Sequence, residues 1–269
     1  MTPDLYQIDA FTDRAFRGNP AAVCLLPEPR DADWMQDVAR EMGLPATAFL
    51  APAADGYDLR WFTPAVELEL CGHGTLAASH ALWEAGLLAP EATARFHTRG
   101  GVLTAVRRVD AMERPWIELD FPARPVAEVE PPAGLAEAFA AAPLFIGRHG
   151  DNYLLELASE GEVRAAAPDL PRLSALKLHG VIVTARAEAG PFDIVSRYFV
   201  PGAGLHEDAA TGSAHCMLGP YWTPKLGKPE LLAYQASARG GTLKVRVEGE
   251  RVRLGGQAVT VSKGRQLAG

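Results

Sequence analysis

Three short motifs occur twice in this chain, and in the same order. They are an Arg-aromatic-Phe motif ending in Pro at 60–64 and 197–201, a glycine turn at 71–75 and 211–215, and an Arg-Gly-Gly motif at 98–103 and 237–243. Gly212 follows Gly72 by 140 positions and Gly240 follows Gly100 by the same 140, whereas the first motif is offset by three residues. Such self-similarity is typical of an internal duplication. We therefore predict a duplicated domain whose functional residues lie where the two glycine turns face each other.

The chain is long enough for the two lobes that a duplication requires. It has 269 residues, of which 48% are apolar and 22% charged. Each half has the size of an ordinary domain that buries its own core. We expect an N-terminal lobe at residues 1–113 and a C-terminal lobe at 114–269, with a last strand near Val259–Val261 that is open to pairing in either lobe.

Charge and hydropathy exclude several classes of partner. A net charge of -7 gives no electrostatic reason to bind nucleic acid or an anionic membrane. Residues 1–11 lack the basic start and apolar core of a signal peptide, and no stretch reaches the roughly 20 apolar residues of a membrane helix. Cys24, Cys71 and Cys216 are too sparse and odd in number for a disulfide framework. We expect a cytoplasmic protein.

The segments that follow the glycine turns are apolar on almost every side. Thr75–Leu88 has Glu84 as its only formal charge, and Gly212–Trp222 has none. A helix of this kind is buried all round, and Pro220 is expected to end or kink the second one. Short strand candidates flank both helices. The predicted fold class is therefore α+β, with two pseudo-symmetric lobes, each a curved, mostly antiparallel sheet wrapped around a central apolar helix.

Hydrophobic periodicity indicates the remaining elements. Helices are predicted at Asp31–Met42 and, in a segment rich in Pro, Ala and Glu, at Leu135–Ala141. Strands are predicted at 6–11, 21–26, 47–51, 57–62, 95–105, 116–121, 153–157, 180–184, 242–247 and 251–254.

Each glycine turn leads from a strand candidate into an apolar helix. The first N–H groups of a helix have no internal acceptor, and the helix dipole adds partial positive charge there. Two such starts aimed at each other bind an anion without Lys or Arg, and glycine lets the backbone approach it closely. The alternative is that these glycines only begin packed helices. With a small carboxylate as the expected ligand, the predicted substrate-binding residues are Gly72, Gly74, Thr75, Thr211 and Gly212.

Side chains that move protons lie in or beside both turns. His73 is inside the first turn, Ser213 holds the equivalent place in the second, and Asp208 lies four residues before Gly212. A histidine titrates near neutrality, so paired with a carboxylate it gives protons to a bound acid or takes them from it. Cys71 is a candidate thiolate whose pKa the helix start would lower. The predicted catalytic residues are Asp208, His73, Ser213 and Cys71; the alternatives are that Asp208 caps a helix and that Cys71 is a small buried residue.

Metal and nucleotide cofactors are not expected. His206, Asp208, His215 and Cys216 are of metal-binding types, but they show no recognised ligand spacing. The first glycine turn lacks the third glycine of a dinucleotide fingerprint. We therefore predict chemistry without a metal or an organic cofactor.

An ordered set of motifs runs nearly end to end along the chain. Its members are Ile8–Phe11, Gly18–Ala21, Phe62–Pro64, Cys71–Thr75, Glu207-Asp208, Thr211–His215 and Ala238–Gly241. In these motifs the chain resembles the phenazine-biosynthesis PhzF-like family, which shares the diaminopimelate epimerase fold. The resemblance implies two similar lobes with a cofactor-free isomerase site between them, and it implies that homodimers are common. It also implies that His73, Asp208 and Ser213 match family active-site positions.

One position departs from the family pattern. The family usually carries its main acid/base glutamate in an Asn-Leu-Ser-Glu-Thr-Ala-Phe segment, but residues 43–49 here read Gly-Leu-Pro-Ala-Thr-Ala-Phe. Ala46 cannot carry a proton, and Pro45 removes a hydroxyl and a backbone N–H. Cys71 matches the first catalytic cysteine of related cofactor-independent racemases, whereas the second position holds Thr211. Racemisation by two thiols is therefore excluded.

Together these features predict a cofactor-independent isomerase that moves a proton within a small carboxylate-bearing metabolite at the cleft between the lobes. Asp208 and His73 form the remaining proton-transfer pair. The alternative, favoured by Ala46, is a non-catalytic protein that binds a small anion and has lost the chemistry. The expected partners are the small carboxylate and a second copy of the chain in a homodimer, with no nucleic acid or membrane.

Overall fold

Strands dominate the described part of the chain, and its helices are few. The computed structural model describes residues 2–110, 113–139, 142–188, 190–203 and 206–267. Within these residues the fold is of the mixed α+β class. The chain divides into a first unit, residues 1–121 with 255–269, and a second unit, residues 122–254. No helix of the described residues is long and apolar enough to cross a membrane.

The first unit is a mixed sheet with two helices. The elements are β1 (Asp4–Ala10), β2 (Asn19–Leu25), α1 (Ala32–Met42), β3 (Ala46–Ala53), β4 (Gly56–Phe62), β5 (Glu67–Leu68), α2 (Gly72–Glu84), β6 (Ala94–Thr98), β7 (Gly101–Val109), β8 (Pro115–Pro122) and β18 (Ala258–Arg265). The strands pair in the spatial order β18-β1-β2-β3-β4-β6-β7-β8, and β5 also pairs with β4. The β2–β3 and β4–β6 pairs are parallel and the others are antiparallel.

Helix α1 packs on one face of this sheet. Asp31 caps its start by accepting a hydrogen bond from the Trp34 N–H, and Gly43 ends it in the left-handed conformation at φ 63°. The apolar side of α1 meets alternate residues of β2, β3 and β4, because side chains two apart on a strand share a face. The core on this face comprises Cys24, Leu26, Met35, Val38, Ala39, Phe49, Ala51 and Phe62.

Helix α2 packs against β1, β2, β3 and β18. Ten of its thirteen residues are buried, which agrees with its nearly uncharged sequence. It begins at Gly72 and ends at Glu84, whereas the sequence predicted a helix over Thr75–Leu88. Its two buried hydroxyls are satisfied within the helix, because Thr75 donates to the Cys71 carbonyl and Ser79 donates to the Thr75 carbonyl.

The second unit follows the same order of pairing. Its elements are β9 (Ala127–Glu128), β10 (Phe145–His149), β11 (Asn152–Glu156), α3 (Glu160–Ala165), α4 (Leu170–Ala175), β12 (Gly180–Arg186), β13 (Ile194–Phe199), β14 (Glu207–Asp208), α5 (Gly212–Leu226), β15 (Glu230–Gln235), β16 (Gly241–Glu248) and β17 (Arg251–Gly256). The β10–β11 pair is antiparallel, β11–β12 is parallel, β12–β13 is antiparallel and β13–β15 is parallel. Strand β14 also pairs with β13, and β16 pairs antiparallel with β15.

The three-residue difference between the repeats lies in one connection. Phe62 pairs with Glu67 across β4 and β5, and Phe199 pairs with Glu207 across β13 and β14. The loop between the partners is therefore longer in the second unit, and the glycine turns that follow keep their common spacing. The first unit includes β8 and β18; the sequence had placed β8 in the C-terminal lobe.

Helix α5 continues through Pro220, so of the two predicted effects of this proline, the helix end is wrong. The helix runs to Leu226 and contains both Pro220 and Pro224. A helical proline leaves the carbonyl four residues earlier without its usual donor. Here that carbonyl belongs to Cys216, and it accepts a hydrogen bond of 2.9 Å from the Arg124 N–H. An external donor thus replaces the bond that Pro220 removes.

The sequence predictions miss or misplace other elements of the second unit. Helices α3 and α4 are unpredicted, although both begin at recognisable caps, Ser159 and Asp169. Where a helix was predicted at Leu135–Ala141, the structure has a short 3-10 segment at Ala136–Ala138, and residues 140 and 141 lie outside the described residues.

Candidate active site

The predicted site residues fall into two groups, one in each unit. We call Cys71, Gly72, His73, Gly74 and Thr75 the first helix-start site, because they form the start of α2. We call Asp208, Thr211, Gly212 and Ser213 the second helix-start site; the last three form the start of α5, and Asp208 ends β14.

A thiol and an imidazole lie side by side in the first helix-start site. Cys71 Sγ is 3.6 Å from Nδ1 and 3.9 Å from Nε2 of His73. Cys71 is 5% and His73 8% exposed. Cys71 is the N-cap residue, and its side chain makes no capping bond with the helix. Two groups that exchange protons are thus held together at the positive end of the helix dipole.

Packing explains why residue 74 is glycine. A Cβ at this position would lie 2.7 Å from Trp61 Cδ1 and 2.9 Å from Cys71 Sγ, closer than side-chain carbons approach one another. The backbone of α2 therefore lies directly on Trp61, whose indole Nε1 is buried without a hydrogen-bond partner among the described residues. A larger residue at 74 would push the thiol out of its present place.

Ala46 lies on the face of the sheet that carries this site. It is the first residue of β3 and fully buried. Ala48 pairs with Trp61 across β3 and β4, so Ala46, Ala48 and Trp61 share the face on which α2 packs. Two other carboxylates lie in neighbouring segments of the sequence, Glu41 in α1 and Glu69 in the loop before Cys71, but both residues are exposed. The structure thus leaves Cys71 and His73 as the buried proton-carrying groups at the start of α2.

The second helix-start site is organised by hydrogen bonds to Asp208 and Thr211. The Thr211 hydroxyl donates to Asp208 Oδ2 at 2.5 Å. Thr211 is the N-cap residue of α5, so Asp208, three residues earlier, does not occupy the N-cap position. Asp208 pairs with Tyr198 across β14 and β13. Burial raises the pKa of the Tyr198 phenol, and the negative charge of Asp208 acts in the same direction.

Gln235 holds this turn together, and the sequence gave no signal for it. Its Oε1 accepts from the Thr211 N–H at 2.8 Å, and its Nε2 donates to the Asp208 carbonyl at 2.7 Å and to Thr211 Oγ1 at 3.1 Å. The side chain is fully buried. Gln235 lies at the end of β15, far from Asp208 in sequence, and only the parallel β13–β15 pairing brings them together.

His215 is buried in α5 and bonds to the backbone of its first turn. Its Nδ1 lies 2.7 Å from the Thr211 carbonyl, so Nδ1 carries the proton and donates it. Thr75, the equivalent residue of α2, makes the same bond to Cys71 with its hydroxyl. Burial lowers the pKa of His215 to about 4, so this imidazole is neutral near pH 7. Ser213 is half-buried in the first turn of α5.

An arginine clamp fixes the short strand before each helix start. Arg60 donates from Nε and Nη2 to the two carboxylate oxygens of Glu67 at 2.7 and 2.9 Å, and Arg197 donates to Glu207 with the same two distances. Bidentate pairs of this kind fix orientation. The hydrogen bonds from Arg60 hold the pKa of the Glu67 carboxyl below its usual range. Both arginines belong to the repeated Arg-aromatic-Phe motif, whereas their carboxylate partners lie outside it.

No cluster of three or more His, Cys, Asp or Glu side chains suited to a metal ion occurs among the residues that the structure describes. His215 is occupied by the Thr211 carbonyl, and Cys216 is a buried thiol whose pKa burial raises to about 12.

Comparison with known proteins extends over almost the whole chain. The family model described as phenazine biosynthesis-like protein matches residues 8–264. A Halalkalibacterium halodurans protein named an uncharacterized isomerase is 49% identical over 268 residues, covering 99% of this chain and 99% of the relative.

Solved structures agree with this match. The crystal structure of a PhzF-family phenazine biosynthesis protein from Enterococcus faecalis is similar with a TM-score of 0.91 and 37% identity, covering 99% of both chains. A Pseudomonas aeruginosa protein described as a predicted epimerase is similar with a TM-score of 0.74 and 25% identity, covering 100% of both chains. The motifs, the fold and these matches agree, and the chain belongs to the phenazine biosynthesis-like (PhzC-PhzF) family.

Proposed function

We propose that this protein is a cofactor-independent isomerase that moves a proton within a small carboxylate-bearing metabolite, and that both helix-start sites act on the same substrate molecule. The observation that carries the proposal is the repeated placement of proton-carrying side chains at the start of a buried helix. Cys71 and His73 lie at the start of α2, and Asp208 with Thr211 lies at the start of α5. The isomerase name of the Halalkalibacterium halodurans relative supports the reaction class.

The helix starts suit a carboxylate. Neither N-cap residue makes a side-chain capping bond with the first turn of its helix, and the first backbone N–H groups of a helix are a common binding place for anions. Neither first turn carries an acidic side chain that would compete with an anion. A substrate carboxylate bound here would be stabilised by N–H groups and by the helix dipole.

The chemistry requires one base and one acid. One group takes the proton from a C–H bond next to an activating carbonyl or double bond, and the electron pair of that bond is delocalised into the bound substrate. A second group then delivers a proton to another carbon or to the opposite face, so the substrate is neither oxidised nor reduced. Asp208 and His73 are the proposed pair, with Cys71 beside His73 as a further proton carrier.

Solvent deuterium exchange into a panel of small amino, hydroxy and unsaturated acids tests this proposal. Wild-type protein is expected to exchange at least one acid. Asp208→Asn keeps the size of the side chain but removes the basic carboxylate, and it is expected to lower the exchange rate by about 10²-fold to 10⁴-fold. The matched control is Asp169→Asn, because Asp169 is a true helix cap that accepts from the Arg172 N–H. It is expected to leave exchange unchanged.

Ala46→Glu introduces the carboxylate that the resemblance to the family implies at this position. Because Ala46 shares the sheet face of Trp61, the new side chain would extend toward the start of α2, and we expect faster exchange or a changed choice of acid. Exchange that is absent from the wild type and from Ala46→Glu across the whole panel would exclude the isomerase and leave the binding-protein alternative.

A further inference from the structure

A cavity of about 370 Å³ lies on the α1 face of the first unit, and the proposed reaction does not use it. Its volume is in the range of small-molecule sites. The floor is apolar and at most 4% exposed, and it is formed by Leu26, Met35, Phe49 and Ala51. The rim is formed by Pro29, Arg30, Asp58, Arg60, His97, Thr98 and Arg99.

The strand register separates this cavity from the first helix-start site. Arg60 pairs with Phe49, and Trp61 pairs with Ala48 across β3 and β4. Neighbouring residues of a strand point to opposite faces. Arg60 and Phe49 therefore lie on the α1 face with the cavity, whereas Trp61 lies on the α2 face against Gly74. A ligand in the cavity would occupy a place distinct from the start of α2.

The polar rim carries an excess of positive charge. Arg30, Arg60 and Arg99 contribute three guanidinium groups, and Asp58 is the one carboxylate among the lining residues. Glu67 is held by two of the three arginines, since Arg60 binds it bidentately and Arg99 approaches it at 2.8 Å. The three arginines thus outnumber the two carboxylates by one. In a chain of net charge -7, this local positive charge favours an anion.

Arg30 provides the most specific indication of a ligand. Its Nε–H is buried, and it has no hydrogen-bond partner among the described residues. A buried donor without an acceptor is unfavourable, and such groups are uncommon in folded proteins. The guanidinium is oriented by the Trp34 ring, whose centroid is 5.4 Å from Arg30 Cζ. Among the described residues Arg30 is in no salt bridge, whereas Arg60 and Arg99 are both paired with Glu67. A ligand carboxylate at the rim would therefore give the Arg30 guanidinium an ion-pair partner.

From the apolar floor, the cationic rim and the Arg30 guanidinium that is in no salt bridge with the described residues, we infer a second ligand site on the α1 face for an organic anion with a carboxylate and an apolar, aromatic-sized body. The carboxylate binds Arg30, and the body covers Met35 and Phe49. The ligand is distinct from the small substrate of the helix starts, because it needs an apolar body to fill this floor.

The probe is 2-naphthoate, and its binding is followed by its fluorescence and by calorimetry with the full-length protein. Saturable binding at one site per chain is expected. Naphthalene-2-methanol, a neutral analogue of similar shape, and acetate, which lacks the body, are each expected to bind at least about tenfold more weakly, because a charge-assisted hydrogen bond and the apolar contact both contribute.

Two variants identify the site. Arg30→Gln is expected to weaken 2-naphthoate binding at least about tenfold. The matched control is Arg40→Gln, because Arg40 lies on α1, the helix that follows Arg30, is paired with Asp37 and does not line the cavity. Binding in Arg40→Gln and in Asp208→Asn is expected to equal that of the wild type. Three results would each overturn the inference: no saturable binding, equal binding of the neutral analogue, or unchanged affinity in a folded Arg30→Gln variant. None of them affects the deuterium-exchange test of the proposed function.

Discussion

At the residue scale, burial decides which ionisable groups are available for chemistry. Cys24 and Cys216 are fully buried, and desolvation raises the pKa of each thiol to about 12, with Arg30 acting against that rise at Cys24. Cys71 lies instead at a helix start beside His73. Cys71 is therefore in a different chemical environment from the other two cysteines, although the spacing of the three in the sequence did not distinguish it.

Alkylation with iodoacetamide is expected to follow this difference. Only the thiolate reacts, so Cys71 should be modified first in the native protein, and Cys24 and Cys216 should react only on unfolding. Peptide mass mapping over time measures the order. The prediction fails if Cys24 or Cys216 is modified before Cys71 in folded protein.

His215 is expected to make stability depend on pH. Its folded pKa of about 4 lies below the ordinary value of 6.5, so between these pH values the unfolded chain binds a proton that the folded chain does not. The free energy of unfolding should therefore be independent of His215 above about pH 6.5 and should fall as pH drops toward 4, by on the order of 3 kcal/mol in total.

Urea unfolding at a series of pH values measures this slope. His215→Thr copies the hydroxyl bond of Thr75 without a titrating group, so it should lose that part of the slope whatever its absolute stability. His179→Gln, at an exposed position, is the matched control and should keep the slope. An unchanged slope in His215→Thr would show that His215 is not the group that titrates.

At the element scale, each helix start is fixed from outside the helix. The arginine clamps hold β5 and β14, and Gln235 joins β15 to the turn before α5. The glycine turns and the repeated arginines were visible in the sequence because they are short and local motifs. Gln235 was not, because a single glutamine in a strand has no pattern that relates it to a distant turn. The continuation of α5 through Pro220 was equally invisible, since it depends on the Arg124 N–H.

Gln235→Met is expected to loosen the second helix-start site. It keeps the volume but leaves the Thr211 N–H and the Asp208 carbonyl without their partner, which should lower the free energy of unfolding by roughly 2–4 kcal/mol. Exchange of the Thr211 amide should also become faster. Gln257→Met is the control, because Gln257 makes one exposed hydrogen bond, to the Pro115 carbonyl. Equal stability of the two variants would mean that Gln235 does not fix the turn.

At the scale of the whole molecule, the repeat predicted the order of elements better than their number. The common spacing of the glycine turns corresponds to a common order of strand pairing in the two units. The crossover connections differ, because β2 and β3 are joined through α1 and β11 and β12 through α3 and α4. These short helices carry weak periodicity, so the sequence did not reveal them. Nor did it determine where β18 pairs, since a short apolar strand fits either lobe.

Removal of residues 258–267 is expected to expose the edge of β1. Strand β18 pairs with β1 from Asp4 to Ala10, so the amides of β1 that bond to β18 should lose protection against hydrogen exchange by at least about tenfold. Amides that bond β12 to β13 serve as the internal reference. Unchanged protection in β1 would contradict the pairing.

A double-mutant cycle measures most directly whether the two helix-start sites act on one substrate. Deuterium exchange into the best acid of the panel is compared in the wild type, His73→Asn, Asp208→Asn and the double variant. If His73 and Asp208 are the acid and base of one proton transfer, each single variant loses most of the rate and the double variant loses little more. A double variant whose loss equals the product of the two single losses would show that the side chains act independently, and it would contradict the proposed proton-transfer pair.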